Sequence, residues 1–265
     1  MISFKKLLRT NGIDVVDEGN SAPVCENMDF VATEQYKLIR TNLDFTITGN
    51  EKCTVIVVTS SMRGEGKSTT SINLAYSYAQ KGSKVLLIDG DMRIPSVAKK
   101  LDISGTPGLS DLLKGGANTG ETGIQPTKYP TWYILPSGMC PPNPSELLGS
   151  QRMKNLLEKL RSVFDYIIID LPPVNLVSDA IAVSGIISGL ILVIREDYTQ
   201  KRELEHCVRQ LRLSNVKVLG VVMNAIHSGG GIYNKYKKYK AYKNYKTYGK
   251  DYVQHEPSEN EEKQK

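Results

Sequence analysis

The chain has little of what marks a secreted or membrane-spanning protein. Its four cysteines, Cys25, Cys53, Cys140 and Cys207, show no spacing typical of a disulfide framework or a zinc site. The longest apolar run, residues 180–194, is shorter than the roughly 20 residues that a membrane-spanning helix needs. The first residues contain no apolar stretch long enough for a signal peptide. These absences favour a protein of a reducing compartment, and we expect it in the cytoplasm.

The net charge of +6 is concentrated in one segment near the C-terminus. Residues 233–250 carry seven lysines and no acidic residue, so the rest of the chain sums to −1. The same segment follows three glycines, Gly229–Gly231, and has a tyrosine at almost every third position. Seven of the fourteen tyrosines form this tail cluster: Tyr233, Tyr236, Tyr239, Tyr242, Tyr245, Tyr248 and Tyr252. The basicity is therefore a property of the tail and not of the body of the protein.

Short β-branched runs alternate with amphipathic helices from residue 52 onward. Most of the runs are continuously apolar, as expected for strands buried on both faces of a sheet. The predicted strands cover 54–60, 84–89, 132–137, 166–171, 190–195 and 216–224. The predicted helices cover about 33–46, 67–81 with Gly82 as C-cap, 145–161, and 200–213 with Thr199 as N-cap. Repeated strand–helix–strand units predict an α/β fold, a P-loop NTPase-like parallel sheet with helices on both faces.

The domain organisation follows from the same pattern. Residues 1–29 show weak patterning and are predicted to be a loose N-terminal segment. Residues 30–226 are predicted to form one domain. Residues 227–265 are predicted to be a flexible tail, ending in a polar sequence that cannot form a core.

The first predicted strand leads into the sequence TSSMRGEGKSTT, residues 59–70. Gly64 and Gly66 allow the backbone to curl so that its N–H groups point at an anion. Lys67 adds a positive charge, Ser68 a hydroxyl ligand for magnesium, and the helix that begins here its positive end. The strict P-loop pattern has glycine where Ser61 stands, but the strand–loop–helix context predicts a phosphate-binding loop.

Two further predicted strands end in carboxylates. Asp89 and Asp91 lie at the end of the second strand, and Asp170 lies at the end of the strand at 166–171. The carboxyl ends of parallel strands share one edge of a sheet, so we expect these acids beside the phosphate-binding loop. Each aspartate alone is equally typical of a turn or a helix N-cap. Together with the loop they predict a magnesium–nucleotide site.

In these motifs the chain resembles the bacterial tyrosine kinases of capsular and exopolysaccharide synthesis. That family has a variant P-loop, a D-x-D motif, a D-x-x-P motif and a C-terminal tyrosine cluster. All four occur here in that order, and the resemblance covers about residue 30 to the end. It implies a protein-tyrosine kinase that uses ATP and Mg²⁺, phosphorylates its own tail tyrosines and regulates polysaccharide synthesis and chain length.

The resemblance also implies roles for individual residues. The residues implied to bind the nucleotide are Gly64, Glu65, Gly66, Lys67, Ser68 and Thr69. Asn224 is implied to contact the adenine. The implied magnesium ligands are Ser68, Asp89 and Asp170. The implied catalytic residues are Lys67, Asp89, Asp91 and Asp170. Asp91 is expected to orient or deprotonate the phenol. For Asn224, an ordinary residue at the end of a strand stays an alternative.

Two departures from the family pattern stand out. Arg63 stands where the family loop often has proline. The sequence EQYKLIR resembles the family's E-x-x-R-x-x-R helix, with Glu34, Lys37 and Arg40 at the three charged positions. Lysine at the second position loses the planar fork of arginine. The match still implies a homo-oligomer such as a ring, and an ordinary charged helix face stays the alternative.

The expected partners come from the resemblance as well. It implies a separate membrane protein whose cytoplasmic end activates the kinase at the inner face of the membrane, and a tyrosine phosphatase that resets the tail. Nucleic acid is not expected as a partner. Two other interpretations of the tail stay open: a partition-type ATPase whose lysines and tyrosines bind nucleic acid, and a polybasic membrane tether.

Overall fold

The computed structural model of the chain describes residues 24–47, 52–115 and 123–225. The seven tail tyrosines lie outside these ranges. The chain divides into two units, Met1–Asn224 and Ala225–Lys265, and every strand and helix given below belongs to the first. No helix of the described part combines the length and the apolar character that crossing a membrane requires.

Seven strands of the described chain form one sheet. They are β1 (Thr54–Ser60), β2 (Val85–Asp89), β3 (Gln125–Pro126), β4 (Trp132–Leu135), β5 (Tyr166–Asp170), β6 (Gly189–Arg195) and β7 (Val218–Asn224). Their order is β3-β4-β2-β5-β1-β6-β7, and every neighbouring pair is parallel except β3 and β4. The predicted parallel α/β sheet is confirmed.

Eight α-helices connect the strands within the described ranges. They are α1 (Phe30–Thr46), α2 (Lys67–Gln80), α3 (Val97–Lys100), α4 (Leu109–Lys114), α5 (Pro144–Leu148), α6 (Gln151–Arg161), α7 (Asp179–Ala182) and α8 (Lys201–Leu213). Short 3₁₀ helices cover Cys25–Asn27 and Ser184–Ile186. Helix α2 ends at Gln80 with Lys81 as its C-cap, one residue before the predicted C-cap. Gly82 follows in a left-handed conformation (φ +90°), and its N–H donates to the carbonyl of Ala79.

Two apolar cores cover the two faces of the sheet, and β1 contributes to both. Val55 and Val57 pack into a core that includes residues of α6 and α8, such as Leu157 and Leu211. Ile56 and Val58 pack into the second core with α2 and β2. Successive side chains of a strand point to opposite faces, so a strand covered on both sides is apolar throughout.

The structure corrects the predicted helix at 145–161, which is two helices. Pro144 lies at the first position of α5, and that helix ends before Gly149. The hydroxyl of Ser150 then accepts a hydrogen bond from the Met153 N–H (3.3 Å), which starts α6 as a new helix. A serine N-cap inside an apolar helical pattern was not recognised as a boundary.

Three further elements differ from the prediction. The fourth strand ends at Leu135 and not at 137. Strand β3, absent from the sequence prediction, has two residues and includes Pro126, which is typical only of an edge. Helix α8 begins after Gln200, and Thr199 is not its N-cap, because its hydroxyl bonds elsewhere.

The packed domain begins before residue 30, which corrects the predicted loose segment of residues 1–29 at its C-terminal end. Val24, Cys25 and Met28 are buried against α2 in the second core. The backbone N–H of Cys25 donates to the side-chain oxygen of Asn73 at 2.9 Å. Residues 24–28 therefore belong to the folded domain.

Helix α1 is fixed to the sheet by a partly buried polar cluster around Asp44. One carboxylate oxygen accepts hydrogen bonds from the phenols of Tyr78 (3.0 Å) and Tyr166 (3.1 Å), and the other pairs with Lys81 (2.8 Å). The two phenol rings stack at 3.9 Å between centroids. Burial, with the Asp44 charge second, raises the pKa of Tyr166 to about 12, so this phenol remains a donor at neutral pH.

We expect Asp44→Ala to lower the free energy of unfolding by about 2 kcal/mol, because the phenols of Tyr78 and Tyr166 lose their acceptor. Urea denaturation measures this change. Glu34→Ala on the same helix breaks an exposed ion pair and serves as the control, with a change of about 0.5 kcal/mol or less. An Asp44→Ala variant as stable as the control would contradict this account of the cluster.

Candidate active site

The site begins with the register of two buried strands. Strands β2 and β5 are parallel neighbours, and Asp89 lies directly opposite Asp170 at their carboxyl ends. Both aspartates are fully buried. Strand β1 lies on the other side of β5, so the loop that leaves β1 reaches the same edge.

The ammonium group of Lys67 lies among these carboxylates. Its Nζ is 2.9 Å from Asp91 Oδ2, 3.3 Å from Asp170 Oδ2 and 3.2 Å from the hydroxyl of Ser68. Burial lowers the pKa of Lys67, but the charges of Asp170, Asp91 and Asp89 outweigh it, so the pKa lies above its ordinary value. Lys67 is therefore a fixed positive charge at the start of α2.

Asp170 collects hydroxyl donors from the first turns of the same helix. Ser68 donates to Oδ2 at 2.5 Å, and Ser71 donates to Oδ1 at 3.1 Å. Burial raises the pKa of Asp170, although Lys67 and Ser68 act in the opposite direction. The contact joins Ser68 and Asp170, two of the three predicted magnesium ligands.

Asp89 shapes the loop that carries Asp91. Its Oδ1 accepts the Asp91 N–H at 3.2 Å, and its Oδ2 accepts the N–H groups of Ser96 (3.2 Å) and Val97 (3.1 Å). Burial, with the charge of Asp170 second, raises the pKa of Asp89 to about 7. Asp91 is 4% exposed and bonds the Ile94 N–H through Oδ1, which leaves Oδ2 directed at Lys67.

The cluster offers oxygen donors of the kind that a divalent cation takes, and within the described residues no three acidic, histidine or cysteine side chains are already arranged around one metal position. Three carboxylates, Asp89, Asp91 and Asp170, surround one ammonium, so the fully ionised cluster carries an excess of two negative charges. A buried excess of charge is costly, and the raised pKa values of Asp89 and Asp170 reflect that cost. Carboxylate and hydroxyl oxygens are the ligands that Mg²⁺ prefers.

The phosphate-binding loop depends on two glycines in the left-handed region, Gly64 (φ +82°) and Gly66 (φ +94°). A β-carbon at Gly66 would lie 1.8 Å from the side-chain nitrogen of Asn224, which itself donates to the carbonyl of Glu65 at 3.1 Å. Asn224 therefore lies against the loop. The predicted adenine contact is not tested by this arrangement and stays a proposal.

The side chain of Glu65 holds the loop from within. Its carboxylate is 1% exposed and accepts hydrogen bonds from the Ser61 hydroxyl (2.7 Å), the Met62 N–H (2.8 Å) and the Thr199 hydroxyl. Ser61, the departure from the strict P-loop pattern, thus has a partner that glycine would lack. Only the backbone of Glu65 is left to face a phosphate.

Sequence reasoning missed three residues that contact the loop from the end of β6 and from the connection between β6 and α8. Arg195, Tyr198 and Thr199 bond to the backbone of Gly64, the backbone of Arg63 and the side chain of Glu65. The sequence feature that could have indicated them is their position at or just after the carboxyl end of a predicted parallel strand. Thr69, predicted to bind nucleotide, lies partly exposed in the first turn of α2.

The three residues proposed for self-assembly lie on α1, outside this cluster. Glu34 and Lys37 form an ion pair at 2.8 Å with both side chains about 45% exposed. Arg40 is directed into its own chain, where its guanidinium bonds to the carbonyl oxygen of Ser77 on α2. The predicted phosphorylation sites, Tyr233 to Tyr252, lie outside the described residues.

We expect Gly66→Ala to weaken ADP binding by at least about tenfold, because the β-carbon displaces Asn224 and strains a left-handed residue. Isothermal calorimetry measures the affinity. Gly82→Ala is a matched control, with a similar φ and nothing within 4 Å of its β-carbon. Equal ADP affinity in the two variants would contradict the assignment of this loop.

Comparison with known proteins agrees with this geometry. A family model described as "AAA domain" matches residues 53–219. The tyrosine-protein kinase CpsD of Streptococcus agalactiae is 38% identical over 206 residues, which cover 77% of this chain and 88% of the relative. The tyrosine-protein kinase YwqD of Bacillus subtilis is 38% identical over 192 residues, which cover 72% and 80%.

Solved structures give the same result. The kinase domain of the Escherichia coli tyrosine kinase ETK has a TM-score of 0.71 and 31% identity, covering 76% of this chain and 78% of that chain. The septum site-determining protein MinD of Pyrococcus horikoshii, complexed with Mg-ADP, has a TM-score of 0.54 and 24% identity, and shows the shared fold alone. The chain covers 88% of CpsD and 80% of YwqD at 38% identity and therefore belongs to the bacterial P-loop tyrosine-protein kinases, the family of CpsD and YwqD.

Proposed function

We propose that the chain is an autophosphorylating kinase that transfers the terminal phosphoryl group of ATP to its own tail tyrosines, between subunits. In this role it regulates the synthesis and chain length of a capsular or extracellular polysaccharide. The observation that carries the proposal is the contact of Lys67 with Asp91 and Asp170 beside the hydroxyl of Ser68. A cation, three acids and a phosphate-binding loop at one sheet edge are the parts that phosphoryl transfer needs.

Different residues of the chain are proposed to bind the phosphates, the magnesium ion and the adenine. The loop backbone and Lys67 bind the phosphates, because they supply N–H donors and a positive charge. Ser68 and Asp170 hold Mg²⁺, with Asp89 contributing negative charge from the neighbouring strand. When bound, Mg²⁺ neutralises charge on the phosphates. Asn224, at the end of β7, contacts the adenine or fixes the loop.

Asp91 is proposed to act on the incoming tyrosine. A phenol with a pKa near 10 is protonated at neutral pH and needs a partner that orients or accepts its proton. In the structure the Asp91 Oδ2 pairs with Lys67. Phosphate binding draws Lys67 toward the nucleotide, which leaves this oxygen for the phenol.

Self-assembly through α1 has support on the helix surface. Val31, Leu38 and Phe45 recur every seven residues and are 45%, 53% and 78% exposed. Residues seven apart lie on nearly the same face of an α-helix, so these side chains form an apolar stripe next to Glu34 and Lys37. Such a stripe suits another copy of the chain, and we propose a homo-oligomer such as a ring.

The tail is proposed as the substrate. An extended chain covers about 3.3 Å per residue, so Tyr233 could reach about 30 Å from Asn224 and later tyrosines could reach farther. Each phosphate adds about −1.5 to −2 charges, so seven would reverse the charge of the seven tail lysines. Phosphorylation would then weaken any contact that depends on the basic tail.

The proposed partners belong to the same scheme. We propose that the kinase works at the inner face of the membrane with a separate membrane activator protein, and that a tyrosine phosphatase restores the tail. A nucleic-acid partner is not part of the proposal. The support is the similarity to CpsD and YwqD, together with the confinement of the positive charge to the tail.

Replacement of the seven tail tyrosines by phenylalanine tests the proposal. We expect incubation with ATP, Mg²⁺ and an activator peptide to yield no phosphotyrosine, while ATP hydrolysis is retained because the site is intact. Phosphotyrosine mapping by mass spectrometry and a phosphate-release assay measure the two activities.

The matched control replaces the seven tail lysines by glutamine, which keeps every acceptor. The kinase proposal predicts phosphotyrosine in this control. Binding of nucleic acid or anionic vesicles that survives the phenylalanine changes and is lost in the glutamine variant would favour the alternative interpretations of the tail. Phosphate on serine alone in the parent protein would overturn the proposal.

A further inference from the structure

Four consecutive carbonyl groups of the phosphate-binding loop, at residues 62–65, are each held by a side chain. The pairs are Ser60 with Met62 (2.7 Å), Tyr198 with Arg63 (3.0 Å), Arg195 with Gly64 (3.2 Å) and Asn224 with Glu65 (3.1 Å). Ser60 ends β1, whereas the other three donors come from β6, β7 and the connection after β6. Side chains that are distant along the sequence therefore hold the carbonyl groups of the loop.

The geometry of the peptide bond determines how these hydrogen bonds orient the N–H groups of the loop. In a trans peptide the carbonyl group and the N–H of the next residue point in opposite directions. Each carbonyl held by a side chain therefore directs the N–H of the following residue away from that side chain. No N–H of residues 63–66 makes a hydrogen bond of ordinary length and angle within the part of the chain that the structure describes, and residues 63 and 64 form a turn that brings the Glu65 N–H toward the Met62 carbonyl. Convergent N–H groups of this kind form an anion site.

The connection after β6 makes a second set of contacts with the loop, through the side chain of Glu65. Thr199 donates to the buried carboxylate of Glu65 and accepts the N–H of Arg195 at 2.8 Å. The guanidinium of Arg195 in turn lies 5.3 Å from the centroid of the Tyr198 ring. Residues 195–199 therefore form one unit, and its side chains fix both the backbone and the internal carboxylate of the loop.

We propose that Tyr198, Arg195 and Asn224 are positioning residues that set the phosphate-binding loop for the nucleotide. The inference rests on the proposed function and deepens it, because it assigns the affinity for phosphates to residues outside the loop. Donors fixed before the ligand arrives lose no free energy to ordering when it binds. Asn224 in this role affects every ligand with a diphosphate, and not adenine alone.

The test uses Tyr198→Phe in the full chain, which keeps the ring and the net charge and removes one hydrogen bond to Arg63. We expect affinity for ADP and for inorganic pyrophosphate to fall about three- to tenfold, measured by calorimetry. Tyr166→Phe is the matched control, since it loses a hydrogen bond to Asp44 (3.1 Å) far along the chain from the loop. The control is expected to lower the unfolding temperature and leave both affinities unchanged.

Asn224→Ala separates the two roles of that residue. Positioning predicts that ADP and pyrophosphate lose affinity by the same factor. A loss for ADP with pyrophosphate unchanged would overturn the role for Asn224 and favour the adenine contact.

Two results would overturn the inference as a whole. In one, Tyr198→Phe binds both ligands as tightly as the parent, which leaves the kinase assignment intact. In the other, Tyr166→Phe loses as much affinity as Tyr198→Phe, which makes the effect one of general stability. A parent protein that binds neither ligand would instead contradict the proposed function itself.

Discussion

The structure depends on an imbalance of charge at one edge of its sheet. Asp89, Asp91 and Asp170 are buried together with one compensating ammonium, that of Lys67. Folding alone does not favour this arrangement, because a buried unpaired charge costs several kcal/mol. The cost is understandable if the cluster is completed by a cation and if its lysine is shared with phosphates. On the proposed function, the site would gain stability when Mg²⁺ and a nucleotide bind.

The rest of the fold supplies rigidity around that imbalance. Apolar cores on both faces fix β2, β5 and β1 in register, which places Asp170 between Asp89 and the loop after β1. The loop itself is held from outside by Tyr198, Arg195 and Asn224. Helix α2 links this site to α1 through the contacts of Asp44, so the helix with the exposed apolar stripe packs directly on the helix that begins with Lys67.

The sequence was sufficient to predict the location of the site residues that follow the ends of strands. Continuous apolar runs marked the strands, and the shared edge of a parallel sheet brings Lys67, Asp91 and Asp170 together. It was not sufficient for contacts such as those of Arg195 and Tyr198 with the loop, which join residues 131 and 135 positions apart. Such contacts depend on the twist and register of β6, and no local pattern reports them. The break at Ser150 was missed because one capping serine is a weak signal inside an apolar period.

Thermal unfolding of the parent and Asp170→Asn, each with and without Mg²⁺ and ADP, tests the charge imbalance most directly. The asparagine removes one buried charge and keeps an acceptor for Lys67 and Ser68. The account predicts that without ligand the variant unfolds at the same temperature as the parent or a few degrees higher. It also predicts that the variant loses most of the stabilisation that Mg²⁺ and ADP give the parent. A variant that is less stable without ligand, yet gains as much from Mg²⁺ and ADP as the parent, would contradict it.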